Sequence, residues 1–369
     1  MKHISVMIKP TSSICNIRCK YCFYADVSSM REVTSYGKMT PEITKNMIEQ
    51  IYLDLEDGDK LTLTFQGGEP TLAGLSYFEN LVEVVNKQEK KINVQYAIQT
   101  NGMIITERWC SFFKKHNFLI GLSIDGLPEF HDLSRIDVKK RGTYFRVKKT
   151  KELFEKYQLD FNILCVLTNL LAREPKKVYK YLKEEKIEYV QFIPCLDDLI
   201  KTKKNKFALT PQRFLSFYKK IFELWMRDLE KGQYISIKLF DDIYNLFVNG
   251  QVNACGMLGN CSIQYVIEAD GSVFPCDFYV LDDFKMGNIQ NERLRELFNS
   301  KQAQQFISEK NPINIMCHSC PFKEACYGGC KRMKDAMFID EKYSMCGYRD
   351  LLKIFIPNLR KINTLLNNI

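Results

Sequence analysis

The sequence lacks any long apolar segment. None of its uninterrupted hydrophobic runs reaches the roughly 18 residues that a membrane-spanning helix requires. The N-terminal stretch, which reads Met1-Lys2-His3-Ile4, has neither the apolar core nor the cleavage site of a secretory signal. We therefore expect a cytoplasmic protein that has no membrane partner.

Histidine is also scarce, and so is any signature of nucleic-acid binding. The four histidines are scattered, and no two have the spacing of a metal-ligand pair. The formal charge is +9, but lysine runs such as Lys139-Lys140-Arg141 and Lys201–Lys206 are typical of a solvated face. No aromatic and basic residues combine into an RNA-binding motif. The sequence therefore predicts no nucleic-acid partner.

Cysteine, in contrast, is abundant. Fourteen cysteines in 369 residues, in a compartment that keeps thiols reduced, favour metal binding or catalysis over disulfides. Cys15, Cys19 and Cys22 have the spacing C-x3-C-x2-C and follow the first apolar strand. Three thiolates can hold three irons of a 4Fe–4S cube and leave the fourth iron open for chemistry. No fourth Cys or His follows nearby, which argues against a zinc knuckle.

A second motif, Gly67-Gly68-Glu69-Pro70, follows the apolar run Leu61–Phe65. Alone it is an ordinary turn, but paired glycines allow the backbone to approach a small ligand closely. Together with the cysteine triad it resembles the radical S-adenosylmethionine (SAM) superfamily. That resemblance implies that SAM binds the open iron through its amino and carboxylate groups, with Gly68 and Glu69 beside the amino group. It also implies reduction of SAM to methionine and a 5′-deoxyadenosyl radical.

The first half of the chain alternates strand-like and helical patterns. The strand-like runs are Ile4–Ile8, Leu61–Phe65, Val94–Ile98, Leu119–Ile124, Phe161–Leu167 and Tyr189–Ile193. The helical patterns are Pro41–Leu55, Leu75–Glu89, Thr106–His116, Phe145–Tyr157 and Pro175–Glu185. Six βα repeats predict an α/β fold with a parallel sheet in a partial (β/α)6 barrel, with the active site at the carboxyl ends of the strands. We expect the barrel in residues 1–235.

Residues 236–369 are expected to form a second, iron–sulfur domain, with a short hairpin at Gln264–Pro275 and a last amphipathic helix at Tyr348–Leu366. Its eight cysteines are Cys255, Cys261, Cys276, Cys317, Cys320, Cys326, Cys330 and Cys346. One or two structural zincs are the alternative, but eight thiolates suffice for two fully ligated 4Fe–4S clusters. Spacing alone leaves about 35 ways of dividing eight cysteines between them. Eleven thiolates on three cubes would lower the formal charge to about +4.

This second segment resembles the SPASM extension of radical SAM peptide-modifying enzymes. Four stretches then resemble one family, the anaerobic sulfatase-maturating enzymes, and they are Cys19–Tyr24, Phe65–Leu75, Phe161–Val166 and Asp270–Tyr279. The resemblance implies oxidation of an active-site Cys or Ser of a sulfatase to Cα-formylglycine. It further implies a substrate segment with the motif Cys-x-Pro-x-Arg, or its Ser counterpart, and a flavodoxin- or ferredoxin-type reductant.

The same resemblance assigns roles to individual residues. Cys255, Cys261, Cys276 and Cys330 would hold the first auxiliary cluster, and Cys317, Cys320, Cys326 and Cys346 the second. Asp277 would take the proton of the target side chain, which an ionised carboxylate can do. Contacts to SAM or substrate are expected from Tyr21, Tyr24, Gln66, Gly68, Glu69, Thr100, Asn101, Ser123, Asp125 and Arg135. The alternatives are a core aromatic for Tyr21 and a surface loop arginine for Arg135. Cys110, Cys165 and Cys195 are expected to be buried structural thiols.

Three other functions fit part of the pattern. A radical SAM maturase that installs a thioether or carbon–carbon cross-link in a ribosomal peptide shares both cysteine sets, although no N-terminal precursor-binding domain precedes the first strand. A non-catalytic iron–sulfur electron carrier would have no use for the open-iron triad beside the glycine motif. A zinc-stabilised nucleic-acid binder conflicts with the cysteine chemistry of the N-terminal motif.

Overall fold

The computed structural model describes residues 1–200, 205–252, 254–309 and 313–368. Within them the chain divides into two compact units. The first comprises Met1–Ser123, Arg135–Phe161 and Ser262–Glu309, and the second comprises Ile124–Ser134, Asn162–Cys261 and Lys310–Ile369. Of the charged loop Lys201–Lys206 noted in the sequence, residues 201–204 lie outside the described part of the chain. The domain boundary at residue 235 stays a prediction.

The strands of the described residues are β1 His3–Ile8, β2 Ile17–Cys19, β3 Lys60–Phe65, β4 Asn93–Thr100, β5 Leu119–Ser123, β6 Arg135–Asp137, β7 Phe161–Leu167, β8 Tyr189–Pro194, β9 Ser236–Ile237, β10 Val266–Ile267, β11 Ser272–Phe274, β12 Gly287–Asn288, β13 Ile339–Asp340 and β14 Met345–Cys346. The six strands predicted for the first half are therefore present, each within about two residues of its expected ends.

The α-helices are α1 Phe23–Ser29, α2 Pro41–Leu53, α3 Leu75–Asn86, α4 Glu107–Lys115, α5 Pro128–Ser134, α6 Tyr144–Lys156, α7 Pro175–Glu184, α8 Pro211–Leu229, α9 Lys238–Tyr244, α10 Leu294–Phe298, α11 Lys301–Ser308, α12 Ile315–His318, α13 Lys323–Cys326, α14 Gly347–Phe355 and α15 Leu359–Leu366. The start of α2 shows how local chemistry sets a boundary. Thr40 accepts the backbone N–H of Ile43, and Pro41 occupies the first turn, where it needs no hydrogen-bond donor.

In the first unit the strands lie in the order β12-β11-β10-β1-β3-β4-β5. The strands β10, β1, β3, β4 and β5 are parallel, and the hairpin β10–β11–β12 is antiparallel. The register places Ile8 of β1 opposite Phe65 of β3 and Ile267 of β10. All three side chains are fully buried. The segments that follow β1 and β3, which start at Lys9 and Gln66, therefore begin next to each other at the same edge of the sheet.

In the second unit β7, β8 and β9 are parallel, and α8 packs on α7 and α14. The predicted single helix Tyr348–Leu366 is wrong in one respect. A 3₁₀ turn, Ile356–Asn358, separates α14 from α15. It contains Pro357, whose ring removes a backbone donor and blocks continuation of the α-helical pattern. None of the helices in the described residues is both long and apolar enough to cross a membrane.

Candidate functional site

The loop that carries the cysteine triad is packed on the glycine motif. The Gly68 N–H donates to the Ser12 carbonyl at 2.8 Å, and the Glu69 N–H donates to the Ile14 carbonyl at 2.9 Å. A Cβ atom on Gly68 would lie 2.2 Å from the Ile14 carbonyl oxygen. Only glycine therefore permits this approach of the two backbones.

Each sulfur of the triad accepts an N–H group. The Asn101 side-chain amide lies 3.7 Å from the Cys15 sulfur, and the Arg135 guanidinium lies 3.9 Å from the Cys19 sulfur. Cys22 is the N-cap of α1 and accepts a backbone N–H at 3.4 Å. Donors aimed at sulfur stabilise thiolates and tune iron–sulfur clusters.

The triad fits a bound metal cluster on chemical grounds as well. Burial raises the pKa of Cys15 to about 11, and the charges of Glu69 and Cys22 act in the same direction. A thiol in this setting becomes a thiolate at neutral pH when a cation binds it. The donor set therefore suits the 4Fe–4S cluster predicted from the sequence.

Glu69 is held by hydrogen bonds from the backbone and side chains of its own unit. Its Oε1 accepts from the Thr71 hydroxyl at 2.6 Å and the Thr100 hydroxyl at 2.8 Å, and its Oε2 accepts from the Asn101 N–H at 2.7 Å. Burial raises the pKa of Glu69, and these hydrogen bonds oppose the rise. The carboxylate thus ties the end of β3 to the end of β4. Oε2 keeps a lone pair for an ammonium group.

Asp277 lies at the end of the hairpin strand β11, next to Cys276, and two side chains hold its carboxylate. The Lys9 ammonium lies 2.5 Å from Oδ1, and the Gln66 side-chain amide donates to Oδ2 at 2.7 Å. Lys9 directly follows β1 and is completely buried, while Asp277 is 7% exposed. Three segments distant in sequence therefore build one polar cluster at the carboxyl ends of β1 and β3.

Tyr24 connects this cluster to a second buried ion pair. The Lys9 ammonium lies 3.8 Å from the centre of the Tyr24 ring, a cation–π contact. The Tyr24 hydroxyl donates to Glu268, which also accepts from the Arg31 guanidinium at 2.8 Å. Burial and the charge of Glu268 raise the pKa of Tyr24, so that the hydroxyl keeps its proton. Two cations thus compensate two carboxylates in the apolar interior.

The remaining predicted contacts divide between the units. In the first unit Tyr21 lies under the Arg135 guanidinium, 5.7 Å from the ring centre, and Ser123 ends β5. In the second unit Asp125 is buried and accepts the Val166 N–H at 3.0 Å. The Asp125 N–H in turn donates to the His131 ring. The roles of these residues toward SAM stay predictions.

The second unit brings four cysteines around one small pocket, and they are Cys317, Cys320, Cys326 and Cys346. This is the set that the resemblance assigned to the second auxiliary cluster. Burial is the main cause that raises the pKa of Cys346 to about 11, and the thiols of Cys326 and Cys317 add to it. Cys346 is also the N-cap of α14 and accepts the Arg349 N–H. The pocket has the soft donors that an iron–sulfur cluster needs.

The first auxiliary set is positioned partly in each unit. Within the second unit, a Cβ atom on Gly256 would lie 2.7 Å from the Cys330 Cβ, so the loop that carries Cys255 packs directly on Cys330. In the first unit Cys276 follows β11 and precedes the 3₁₀ turn Asp277–Tyr279. The division of the eight cysteines between two clusters stays a prediction.

Sequence reasoning missed Lys9, Arg31, Glu268 and Thr71. Lys9 carried a usable signal, because it is a lysine placed directly after the apolar strand β1, where parallel strands present their active sites. Glu268 lies in the predicted hairpin and Arg31 in an unassigned loop. Their pairing joins residues 237 positions apart, and no local pattern contains it.

The model of the radical SAM superfamily matches residues 10–192, and that of the SPASM iron–sulfur cluster-binding domain matches residues 255–321. A cysteine-type anaerobic sulfatase-maturating enzyme of Clostridium perfringens strain 13 is 41% identical over 364 residues, 97% of this chain and 98% of that protein. A serine-type enzyme of Bacteroides thetaiotaomicron is 28% identical, over 90% of this chain and 83% of that protein.

A solved structure gives the same result. Native anSMEcpe with bound AdoMet is 40% identical and superposes with a TM-score of 0.90 over 99% of this chain and 100% of that chain. The same protein is known with AdoMet and the Kp18Cys peptide. These similarities confirm the predicted fold class, an α/β radical SAM fold with a SPASM domain. They also confirm the predicted cofactors, which are 4Fe–4S clusters, three in number, and SAM.

Proposed function

This chain belongs to the anaerobic sulfatase-maturating enzymes of the radical SAM superfamily, and on that premise we propose that it oxidises an active-site cysteine of a sulfatase to Cα-formylglycine. A serine target is the second candidate. Cysteine is favoured because the cysteine-type relative is 41% identical and the serine-type relative 28%. The observation that carries the proposal is the Asp277 carboxylate, buried beside Cys276 and held by two donors.

Cys15, Cys19 and Cys22 would hold the cluster that binds SAM, and Gly68 and Glu69 would lie beside the SAM amino group. When bound, the cluster and SAM together supply a 5′-deoxyadenosyl radical that removes a hydrogen atom from the substrate Cβ. The protein's own task is to take the proton from the substrate sulfur. Loss of that proton makes the carbon radical a strong reductant, whose electron would pass to an auxiliary cluster held by the C-terminal cysteines. The thioaldehyde that remains would react with water, which replaces the sulfur by oxygen and releases hydrogen sulfide.

The hydrogen bonds of Asp277 suit it to accept that proton. Each of its oxygens accepts one hydrogen bond, from Lys9 or from Gln66, and each keeps a further lone pair for the substrate S–H. A fixed carboxylate does not need to reorient when the proton arrives, so little free energy is spent on reorganising the site during the proton transfer. Asp277 therefore acts as the general base, and Lys9 and Gln66 position it.

The proposed substrate is an unfolded sulfatase segment with the motif Cys-x-Pro-x-Arg. The proposed electron donor is a flavodoxin- or ferredoxin-type protein, because SAM cleavage requires one electron at low potential. We place the reaction in the cytoplasm, since thiolate-bound clusters require a reducing compartment.

The deciding measurement is mass spectrometry of a peptide with this motif, after anaerobic incubation with the reconstituted enzyme, SAM and dithionite. The target cysteine is expected to lose its sulfur and gain a carbonyl oxygen, and one methionine and one 5′-deoxyadenosine should form per aldehyde. A peptide with alanine at the target position is the matched control. If SAM is cleaved and only a cross-linked peptide accumulates, the cross-linking maturase replaces this proposal.

Lys9 provides a separate prediction. Replacing Lys9 by methionine keeps the length of the side chain and removes its charge, which leaves the Asp277 carboxylate buried without its cation. We expect the free energy of unfolding to fall by about 3–5 kcal/mol, the usual effect of breaking a buried pair. We expect the yield of aldehyde per 5′-deoxyadenosine to fall about tenfold, because the base loses one of two positioning contacts. Thermal unfolding and product ratios measure the two effects.

The double variant Lys9→Met/Asp277→Asn is the control, since it removes both charges together. It should regain most of the lost stability and still make no aldehyde. Equal stability of Lys9→Met and the wild type would contradict the buried pair as described.

A further inference from the structure

A strongly basic surface surrounds one ligand of the SAM-binding cluster. We define it as residues 135–149 together with Arg18 and Lys20. Residues 135–149 contain seven lysines and arginines and one carboxylate, Asp137. Lys139, Lys140 and Lys149 are exposed, as are Arg18 and Lys20. Such a density of one sign creates a field that attracts anionic partners.

The turn at the tip of this surface is preorganised. The Asp137 carboxylate accepts the backbone N–H groups of Lys139 and Arg141, at 2.8 and 2.9 Å, and also pairs with the Arg141 and Arg146 guanidinium groups. These hydrogen bonds lower the pKa of Asp137 to about 2. One carboxylate therefore fixes the backbone while most of the cationic charge faces solvent.

This surface is bonded directly to the loop that carries the cluster ligands. Strand β6 pairs with β2, and the register places Arg135 opposite Cys19 and Ile136 opposite Arg18. Opposed residues of antiparallel strands lie about 5 Å apart at Cα. The Arg135 guanidinium also lies 3.9 Å from the Cys19 sulfur. A molecule docked on β6 would therefore lie next to the residues that surround Cys19, a proposed ligand of the SAM-binding cluster.

Two large apolar side chains project from the same surface. Val138 is 63% exposed and Phe145 is 71% exposed. Phe145 and Lys149 are four residues apart on α6, so they share one face of the helix. A few apolar contacts within a charged surface are typical of small, transient interfaces, in which charge guides the encounter.

We propose that this surface is the docking site of a small acidic one-electron carrier, of the flavodoxin or ferredoxin class, which reduces the SAM-binding cluster. One electron leaves the reduced carrier and enters the 4Fe–4S cluster, which passes from the 2+ to the 1+ state while the carrier is oxidised by one electron. The proposal rests on the proposed radical chemistry, because only that chemistry requires the electron. The charge of the surface suits any anionic partner, but its strand pairing with Cys19 favours a partner that exchanges electrons over a nucleic acid.

The test uses the reconstituted enzyme with Lys139→Glu/Lys140→Glu/Lys149→Glu and a bacterial flavodoxin as the probe. At about 0.1 M salt, SAM cleavage driven by reduced flavodoxin should fall tenfold or more, in line with the usual size of electrostatic steering. Binding of oxidised flavodoxin, measured by calorimetry, should weaken to a similar extent. Cleavage driven by dithionite, which needs no docking site, should stay within about twofold of the wild type.

The matched control reverses three exposed lysines of α7, Lys176→Glu/Lys177→Glu/Lys180→Glu, and should leave flavodoxin binding unchanged. The proposal would be overturned if both variants lost flavodoxin binding equally, or if the Lys139/Lys140/Lys149 variant bound flavodoxin as the wild type does. It would also be overturned if the Lys139/Lys140/Lys149 variant lost dithionite-driven SAM cleavage. Weakened binding of duplex RNA or of the sulfatase peptide with flavodoxin binding intact would overturn it as well. If the wild type cleaves SAM but forms no aldehyde, the proposed function fails while the docking result stands.

Discussion

Replacing Cys15, Cys19 and Cys22 together by alanine is expected to abolish SAM cleavage and to remove about one third of the bound iron. The three sulfurs lie on one loop, and each accepts an N–H donor from a different part of the first unit. Without them no iron remains to bind SAM. The eight cysteines between residues 255 and 346 are untouched, so two thirds of the iron should stay.

Iron and sulfide content, together with 5′-deoxyadenosine formation under dithionite, measure this result. The matched control is Cys110→Ala/Cys165→Ala, which removes two buried thiols that stand outside every proposed cluster. That variant should retain all of the iron and should cleave SAM. Loss of nearly all iron from the triad variant, or zinc in the wild-type protein, would contradict the three-cluster assignment.

The secondary structure was predictable because local patterns determine it. Strand β3 alternates buried and half-buried side chains, with Leu61, Leu63 and Phe65 inside, and this period of two is visible in the sequence. Thr40-Pro41 likewise marks the start of α2 in sequence and structure alike. The break at Pro357 was also readable locally, since proline cannot continue the hydrogen-bond pattern of an α-helix.

The partners of the site residues were not predictable, because contacts between distant segments determine them. Asp277 meets Lys9 across 268 positions and Gln66 across 211. Gln66 was assigned to SAM or substrate from its place beside the glycine motif, and the structure directs its amide to Asp277. The four hydrogen bonds that Thr71, Thr100 and Asn101 donate to Glu69 were likewise not readable from the sequence, and the contact of Glu69 with the SAM amino group stays a prediction. The types of the site residues could be read from the sequence, whereas their hydrogen-bond partners depend on how the strands are paired.

The proposed base Asp277 and the proposed auxiliary-cluster ligand Cys276 are neighbours in the chain. Asp277 begins a 3₁₀ turn immediately after Cys276, so a single backbone segment fixes both the proton acceptor and a proposed cluster ligand. The substrate radical must lose both a proton and an electron if the product is to be an aldehyde. Because Cys276 and Asp277 share one backbone segment, the positions of the proposed cluster ligand and of the proposed proton acceptor are coupled.

The same geometry predicts a specific defect for Asp277→Asn. Asparagine keeps the shape of the side chain but cannot take the substrate proton, so aldehyde formation should fall by roughly 10²–10⁴-fold, the usual contribution of a positioned base. Hydrogen abstraction precedes the proton transfer, and SAM cleavage should therefore persist. The ratio of aldehyde to 5′-deoxyadenosine isolates the effect, because any general loss of active enzyme lowers both products equally.

The variant also perturbs the site in a way that must be controlled. In Asp277→Asn the new side-chain NH2 group would face the Gln66 amide, so that two hydrogen-bond donors oppose each other. Lys9 would also become a buried cation without its anion. Lys9→Met/Asp277→Asn restores the charge balance, and Gln66→Glu in the Asp277→Asn background restores an acceptor opposite the new donor. If both restored variants retain iron and cleave SAM yet make no aldehyde, the missing function is the base itself. An unchanged aldehyde ratio in Asp277→Asn would assign the proton to another acceptor, and loss of the auxiliary iron would reduce Asp277 to a structural support for Cys276.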